Sequence, residues 1–218
     1  SFPELWGGVA CLDFANTLDG RATEQPEENL QTYADVVKWA TYAGLLDEEA
    51  AVRISDASRD ERQASDPGEA SEGKASDDGR DNENLRTALE LREAIFGIFS
   101  AVGRHQPVPE PALDSLQQHF AQAMAHAHLD DRRGWYFTGA DPGRAWWPIA
   151  VDAVTLLTHG PLDRVKVCAA EAGCVGLFLD TSKNRSRRWC TMDGCGVDAK
   201  VKRQAQRRRS ARPRTAPE

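Results

Sequence analysis

The sequence predicts an α+β protein: a mostly helical N-terminal domain with a few short strands, then a small C-terminal module made of a β-hairpin and a helix. Three observations predict it. Apolar residues recur at helical spacing in several stretches before residue 160. The Gly160-Pro161 pair ends that pattern with a strong stop. Beyond it, two close pairs of cysteines bracket a short apolar run.

Leu12–Asp19 mixes apolar residues with Asp13, Asn16 and Thr17 and reads as a short strand or turn leading into a helix. Leu30, Tyr33, Val37, Ala40 and Gly44 fall at helical spacing, so about residues 27–45 form an amphipathic helix that stops at Gly44. Asp47 is placed to cap a second helix. The run 55–84 is dense in Asp, Ser, Gly, Glu and Arg with almost no large apolar side chain, and too little burial is on offer there to offset ordering. It reads mostly as a mobile acidic insertion, with 55–63 able to extend the preceding helix.

Order returns with Leu85, Leu89, Arg92, Ile95, Phe96 and Phe99, a helix of about five turns. Pro107, Pro109 and Pro111 interrupt the chain, and Leu113, Leu116, Phe120 and Met124 mark a fourth helix. Trp135–Thr138 reads as a strand, Asp141-Pro142-Gly143 as a turn, and Pro148–His159 as a fifth helix with Ile149, Val154 and Leu157 inward. The organisation is therefore a body over 1–160, a module over 161–210, and a disordered tail over 211–218.

Charge divides at the same place. Residues 1–160 carry 13 Lys and Arg against 28 Asp and Glu, a balance of −15; residues 161–218 carry 14 against 6, a balance of +8. An acidic body joined to a basic end implies two different partners, or contact between the two. Ser1–Trp6 has neither the positive flank nor the apolar run of a signal peptide, and no stretch approaches the ~20 apolar residues of a membrane helix. The expectation is a soluble cytoplasmic protein with no membrane partner, a compartment in which thiols stay reduced.

Cys168 and Cys174 are separated by five residues, Cys190 and Cys195 by four, and the pairs by fifteen. Two close pairs on a short connection are what a tetrahedral four-thiolate Zn²⁺ site needs, each pair giving two ligands from one turn. Two disulfides or ordinary buried thiols are the alternative. Cys11 lies alone in an apolar run and reads as core. Between the pairs, Gly176–Asp180 reads as a strand with Val165–Val167 as its partner, and Thr191–Gly196 turns into a long helix with Cys195 near its N-terminus. So small a module has little core, and metal supplies much of its folding energy.

The cations of the module suggest duplex DNA as partner. Arg185, Arg187 and Arg188 precede Trp189; Lys200, Lys202, Arg203, Arg207, Arg208 and Arg209 follow the last cysteine. On a helix Val197, Val201 and Ala205 form one stripe, expected to pack on the hairpin, and Lys200, Arg203 and Arg207 form a neighbouring stripe facing outward to phosphates. A merely solvated face, or docking on the acidic body, competes with this reading.

These residues resemble a known family. The Leu-Phe-Leu-Asp-Thr-Ser run at 177–182, the Ser-Arg-Arg-Trp-Cys run at 186–190, and the Cys-Gly and Ala-Lys-Val-Lys-Arg that follow are similar to the CGNR zinc finger, a bacterial C-terminal module. The stretch from Cys11 to Arg21 resembles the opening of the ABATE domain that usually precedes that finger. The resemblance implies zinc on Cys168, Cys174, Cys190 and Cys195, and a stress-induced transcription regulator that binds DNA at the finger. The signature Cys-Gly-Asn-Arg reads Cys195-Gly196-Val197-Asp198 here, which replaces an amide and a guanidinium by an apolar group and a carboxylate.

The body is open to a small-molecule ligand or to homodimerisation. Asp13, Asn16, Thr17, Asp19 and Arg21 form a polar cluster that can fix a ligand, or equally cap a helix and satisfy a turn. Trp135, Trp146 and Trp147 read as core. The five histidines have no nucleophile partner, and neither a phosphate loop nor a nucleophile elbow is present, so no enzyme is expected. Two functions stand: a zinc-containing DNA-binding regulator, or a ligand- or protein-binding domain whose zinc is a structural clip with no DNA role.

Overall fold

The computed structural model describes residues 2, 4–63, 73–131, 134–170 and 173–210, with side chains except at 58–63, 73–78 and 208–210. Seven helices and three two-stranded antiparallel pairs make up the described chain. The fold is α+β, as the sequence predicts.

The first element is a correction. α1 (Ala10–Ala15) is a helix from its first residue, and the strand β1 (Leu18–Asp19) follows it. The helix is short but its residues from Cys11 to Ala15 are all buried, so tertiary packing rather than propensity holds it. Its first turn is tied by Asp152, whose carboxylate accepts from the Cys11 N–H at 2.8 Å. β1 pairs with β2 (Glu27–Glu28), which is why the next helix starts later than the periodicity suggests. α2 (Tyr33–Tyr42) begins at a capping box in which Thr32 and Asp35 satisfy each other's backbone N–H groups. Trp39 on α2 is 1% exposed and stacks near Phe14, ring centroids 5.1 Å apart.

α3 (Glu48–Gln63) and α4 (Gly73–Gly103) cover most of the run expected to be a mobile insertion. Residues 55–63 and 73–84 are helical; 64–72 lie outside the described residues. The physical reason is propagation. Once Leu91, Ile95, Ile98 and Phe99 anchor α4 in the core, each added residue costs little and gains a backbone hydrogen bond. Ion pairs at helical spacing, Arg53–Glu49 and Arg86–Glu90, support the exposed turns.

α5 (Glu110–Ala125) and α6 (Trp147–His159) pack with α4 and α1 around one core that holds Phe14, Trp39, Phe99 and Ile149. β3 (Ala127–Leu129) is the partner of β4 (Trp135–Phe137), with Leu129 opposite Trp135. The expectation of a buried Trp135 is corrected: it is 50% exposed at the hairpin end, whereas Trp146 and Trp147 are buried. The boundary at 160 does not separate one core from another. Val165 on β5 (Val165–Val167) and Leu177 on β6 (Leu177–Leu179) belong to the main core, and these strands pair as the sequence suggests, with Val165 opposite Leu179.

Arg92 is a feature that periodicity concealed. It is 3% exposed on the inward side of α4, donates to both Glu28 oxygens at 2.6 and 2.7 Å, and donates from Nε to Glu93 at 3.0 Å. Replacing one partner of such a pair leaves the other charge without compensation. Arg92→Leu is therefore expected to destabilise the protein by about 2–4 kcal/mol, read as a lower urea midpoint at unchanged m-value.

Candidate metal centre and nucleic-acid interface

The N-terminal polar cluster joins the body to the cysteine module. Asn16 donates from Nδ2 to the Leu177 carbonyl and accepts on Oδ1 from the Leu177 N–H, both at 2.8 Å and both buried. Its amide thus does for β6 what a neighbouring strand would do. Asp13 accepts from the Gly7 N–H at 2.6 Å, and the Gly7 carbonyl in turn accepts from the Leu179 N–H at 2.8 Å. Trp6 closes over the hairpin; a Cβ on Gly176 would stand 2.2 Å from its ring. Gly173, at φ +87°, accepts on its carbonyl from the Ala22 N–H at 3.1 Å.

The rest of the cluster also makes contacts within the chain, although the Arg21 Nε is buried without a hydrogen-bond partner. Thr17 donates to the Phe14 carbonyl and accepts from Arg92. Arg21 donates to both oxygens of Glu93 and to the Ala15 carbonyl while lying 4.0 Å over the Phe96 ring. Asp19 accepts from the Gly20 N–H at the chain turn. Asp13, Asn16, Thr17 and Arg21 are thus assigned to structure, not to a ligand pocket. A separate open groove of about 580 Å³ runs between α4 and α5, walled by Leu85, Leu89, Ala94, Pro111 and Ala112.

Cys168, Cys174, Cys190 and Cys195 converge. Their sulfurs all lie within 4.8 Å of one another, with Cys174–Cys190 and Cys190–Cys195 at 3.6 Å. A disulfide would bring two sulfurs to about 2.05 Å, so all are free thiols. Four sulfurs each ~2.3 Å from one centre stand roughly 3.8 Å apart in a tetrahedron. The observed spacings fit that donor set, and four protein ligands leave no open position for a substrate. Left-handed backbone at Gly173 and Val175 brings Cys174 round to the others. The Cys190 N–H donates to the Cys168 sulfur at 3.4 Å.

Thiolates this close repel one another: the bond to Cys168 and burial push the Cys174 thiol up to about 12. A divalent cation removes that opposition and takes the charge. Around the sulfurs, Phe178, Trp6 and Trp189 form a small second core.

Beside it, Asp180 is fully buried and accepts from Lys166 Nζ at 2.5 Å, from the Ser182 N–H at 2.9 Å and from the Arg187 N–H at 3.0 Å. Burial opposes its charge, but the Lys166 ammonium and Ser182 outweigh that and hold the carboxyl well below the usual carboxylate range. Lys166 also donates to the Arg185 and Arg187 carbonyls, which fixes the loop before Cys190.

The nine cations expected at a nucleic acid divide into groups. Arg185 is paired with Asp163. Arg187 lies 4.5 Å over the Phe178 ring and donates to the Trp189, Cys190 and Trp6 carbonyls, so it braces the knuckle. Arg187 thus has an internal role, and Arg185 is held in an exposed ion pair. Arg188, Lys200, Lys202, Arg203 and Arg207 are exposed and make no ion pair among the described residues. Arg208 and Arg209 sit on the last turn of α7 (Val197–Ser210), and their side chains lie outside those described.

The orientation of α7 also differs from expectation. Val197 and Val201 are 46% and 59% exposed rather than packed on the hairpin. The face turned to the module carries Asp198, Ala199, Lys202, Arg203 and Gln206, which with Arg188 and Trp189 border a cleft of about 110 Å³. A π-helical turn, Met192–Gly196, precedes the helix, and its extra residue per turn shifts the phase on which the stripe assignment depended.

Two protein-family models match the chain. Residues 8–160 match the ABATE family model, described as "Putative stress-induced transcription regulator", and residues 164–208 match the CGNR zinc finger model. No curated protein matches the chain. No described helix is long and apolar enough to cross a membrane.

Two outcomes are expected. Elemental analysis should find one metal ion per chain, and Cys190→Ser should abolish it, with loss of the Trp189 near-ultraviolet signal on chelation. Asp13 gives a pH dependence. Burial raises its carboxyl from 3.8 to about 6, against the Gly7 and Trp6 N–H groups. The native state then binds more protons than the unfolded state between those values, so this carboxyl's contribution to stability falls as pH rises from about 4 to 6 and is flat above. Asp13→Asn keeps an acceptor for Gly7 and should remove that component, measured as the difference between the two urea-stability profiles.

Proposed function

We propose that this chain, which belongs to the ABATE family and carries a CGNR zinc finger, is a non-enzymatic regulator that holds one Zn²⁺ on Cys168, Cys174, Cys190 and Cys195 and binds duplex DNA through α7. Zinc suits four thiolates because it is redox-inert and takes four sulfurs without geometric cost. When bound it supplies folding energy to a module with little core of its own.

One observation carries the DNA reading. Arg164, Lys166, Arg185 and Arg187 are taken up by carboxylates, carbonyls or a ring, and Arg188 lies over the Trp189 ring, yet Lys200, Lys202, Arg203 and Arg207 on α7 are exposed and make no ion pair among the described residues. Exposed unpaired cations on one helix neutralise phosphates and release counterions. Rigid fixing of the finger through Asn16 presents that helix at a set angle to the body. Asp198 in the cleft opposes phosphate on that side and favours the clip reading, while the α4–α5 groove is where a small molecule or a partner would meet the body.

Fluorescence anisotropy of a labelled duplex against zinc-loaded protein, titrated across salt, tests this. A log–log slope of about −4 is expected, and Lys200→Ala with Arg207→Ala should reduce its magnitude by about 2. Absence of binding at low salt would reject the DNA role and leave zinc as a structural clip.

A further inference from the structure

Helical spacing places Val197, Lys200, Val201, Gln204 and Arg207 on the side of α7 opposite the cleft-lining Asp198, Ala199, Lys202, Arg203 and Gln206. All of the first group are exposed. Two valines so exposed on a helix otherwise crowded with charge have no packing role in the folded chain. They are not left over from a larger apolar surface either. Val197 and Val201 with Ala205 make a narrow strip, far below the ~1,000 Å² that a stable protein partner needs. Lys200 and Arg207 on its own side flank it with positive charge. A surface of isolated methyl groups between cations is complementary to one kind of polyanion, duplex DNA.

We infer that this outward face of α7 enters the major groove and reads thymine-bearing steps, Val197 and Val201 meeting thymine 5-methyl groups and Gln204 meeting an adjacent adenine. The inference rests on the DNA reading above and adds base recognition to it. A helix with its side chains is about 10–12 Å across and the major groove about 12 Å wide, so the helix fits. Only thymine displays a methyl group there, an apolar contact suited to an aliphatic side chain, and a primary amide suits the adenine N6 and N7. α7 spans fourteen residues, about 21 Å, enough for its cations to reach phosphates on both sides of the groove. The phosphate contacts position the helix and the strip specifies sequence.

The test replaces the thymine methyl group alone. Zinc-loaded full-length protein is titrated with an alternating A·T duplex of about twenty base pairs, with the same duplex containing uracil for thymine, and with a G·C duplex. The A·T duplex should bind tightest, and uracil should weaken binding about five- to tenfold. In the Val197→Ala, Val201→Ala protein, thymine and uracil duplexes should bind alike, with zinc content unchanged because both positions are exposed. Lys200→Ala should weaken both duplexes equally. Equal binding of thymine and uracil by the natural sequence, with a steep salt dependence retained, would overturn the inference and leave the phosphate-binding function standing. A methyl preference that survives in the valine variant would also overturn it. So would self-association by analytical ultracentrifugation that the variant loses, since the valines would then pack against a second copy. No binding to any duplex would remove the DNA reading itself.

Discussion

The structure depends on one side chain above others, the amide of Asn16. It satisfies both backbone groups of Leu177, far away in sequence and buried at the start of β6. Without it, a donor and an acceptor would be stranded inside the core, at about 1–3 kcal/mol each. The same strand is held from its other end by Gly7, which Asp13 positions. β6 is therefore at once a strand of the cysteine module and a component of the body's core. The finger is a fixture of the body rather than a bead on a linker, and whatever orients the body orients α7.

That fixture explains the expenditure of charge. Lys166, Arg164, Arg185 and Arg187 serve the loop between the cysteine pairs, and each is turned to carbonyls, Asp180, Asp163 or an aromatic ring. The buried Asp180 organises this loop from inside, and four thiolates close it from outside. A module whose own hydrophobic cluster is centred on three buried residues, Cys168, Phe178 and Cys190, has little apolar core to hold a single conformation. The cations of α7 are under no such demand. A basic net charge of the module is thus a poor guide to which basic residues are available for a partner.

Sequence by itself determined the elements whose physics is local. The β5–β6 pairing followed from two short apolar runs beside the cysteines, and α6 from its proline start and Gly160-Pro161 stop. The four metal ligands were legible because a tetrahedral thiolate site constrains spacing along the chain as well as distance in space. Only the tertiary structure decided the roles of polar side chains. Asp13, Asn16, Thr17, Arg21 and Arg92 are ordinary polar letters until their partners, at Gly7, Leu177, Phe14, Glu93 and Glu28, are brought beside them. Nor did spacing reveal that Arg187 braces the knuckle, or which face of α7 points outward after the π-helical turn. Periodicity fixes which residues share a face; the direction of that face, and the partner each polar group finds, are set by packing at long range.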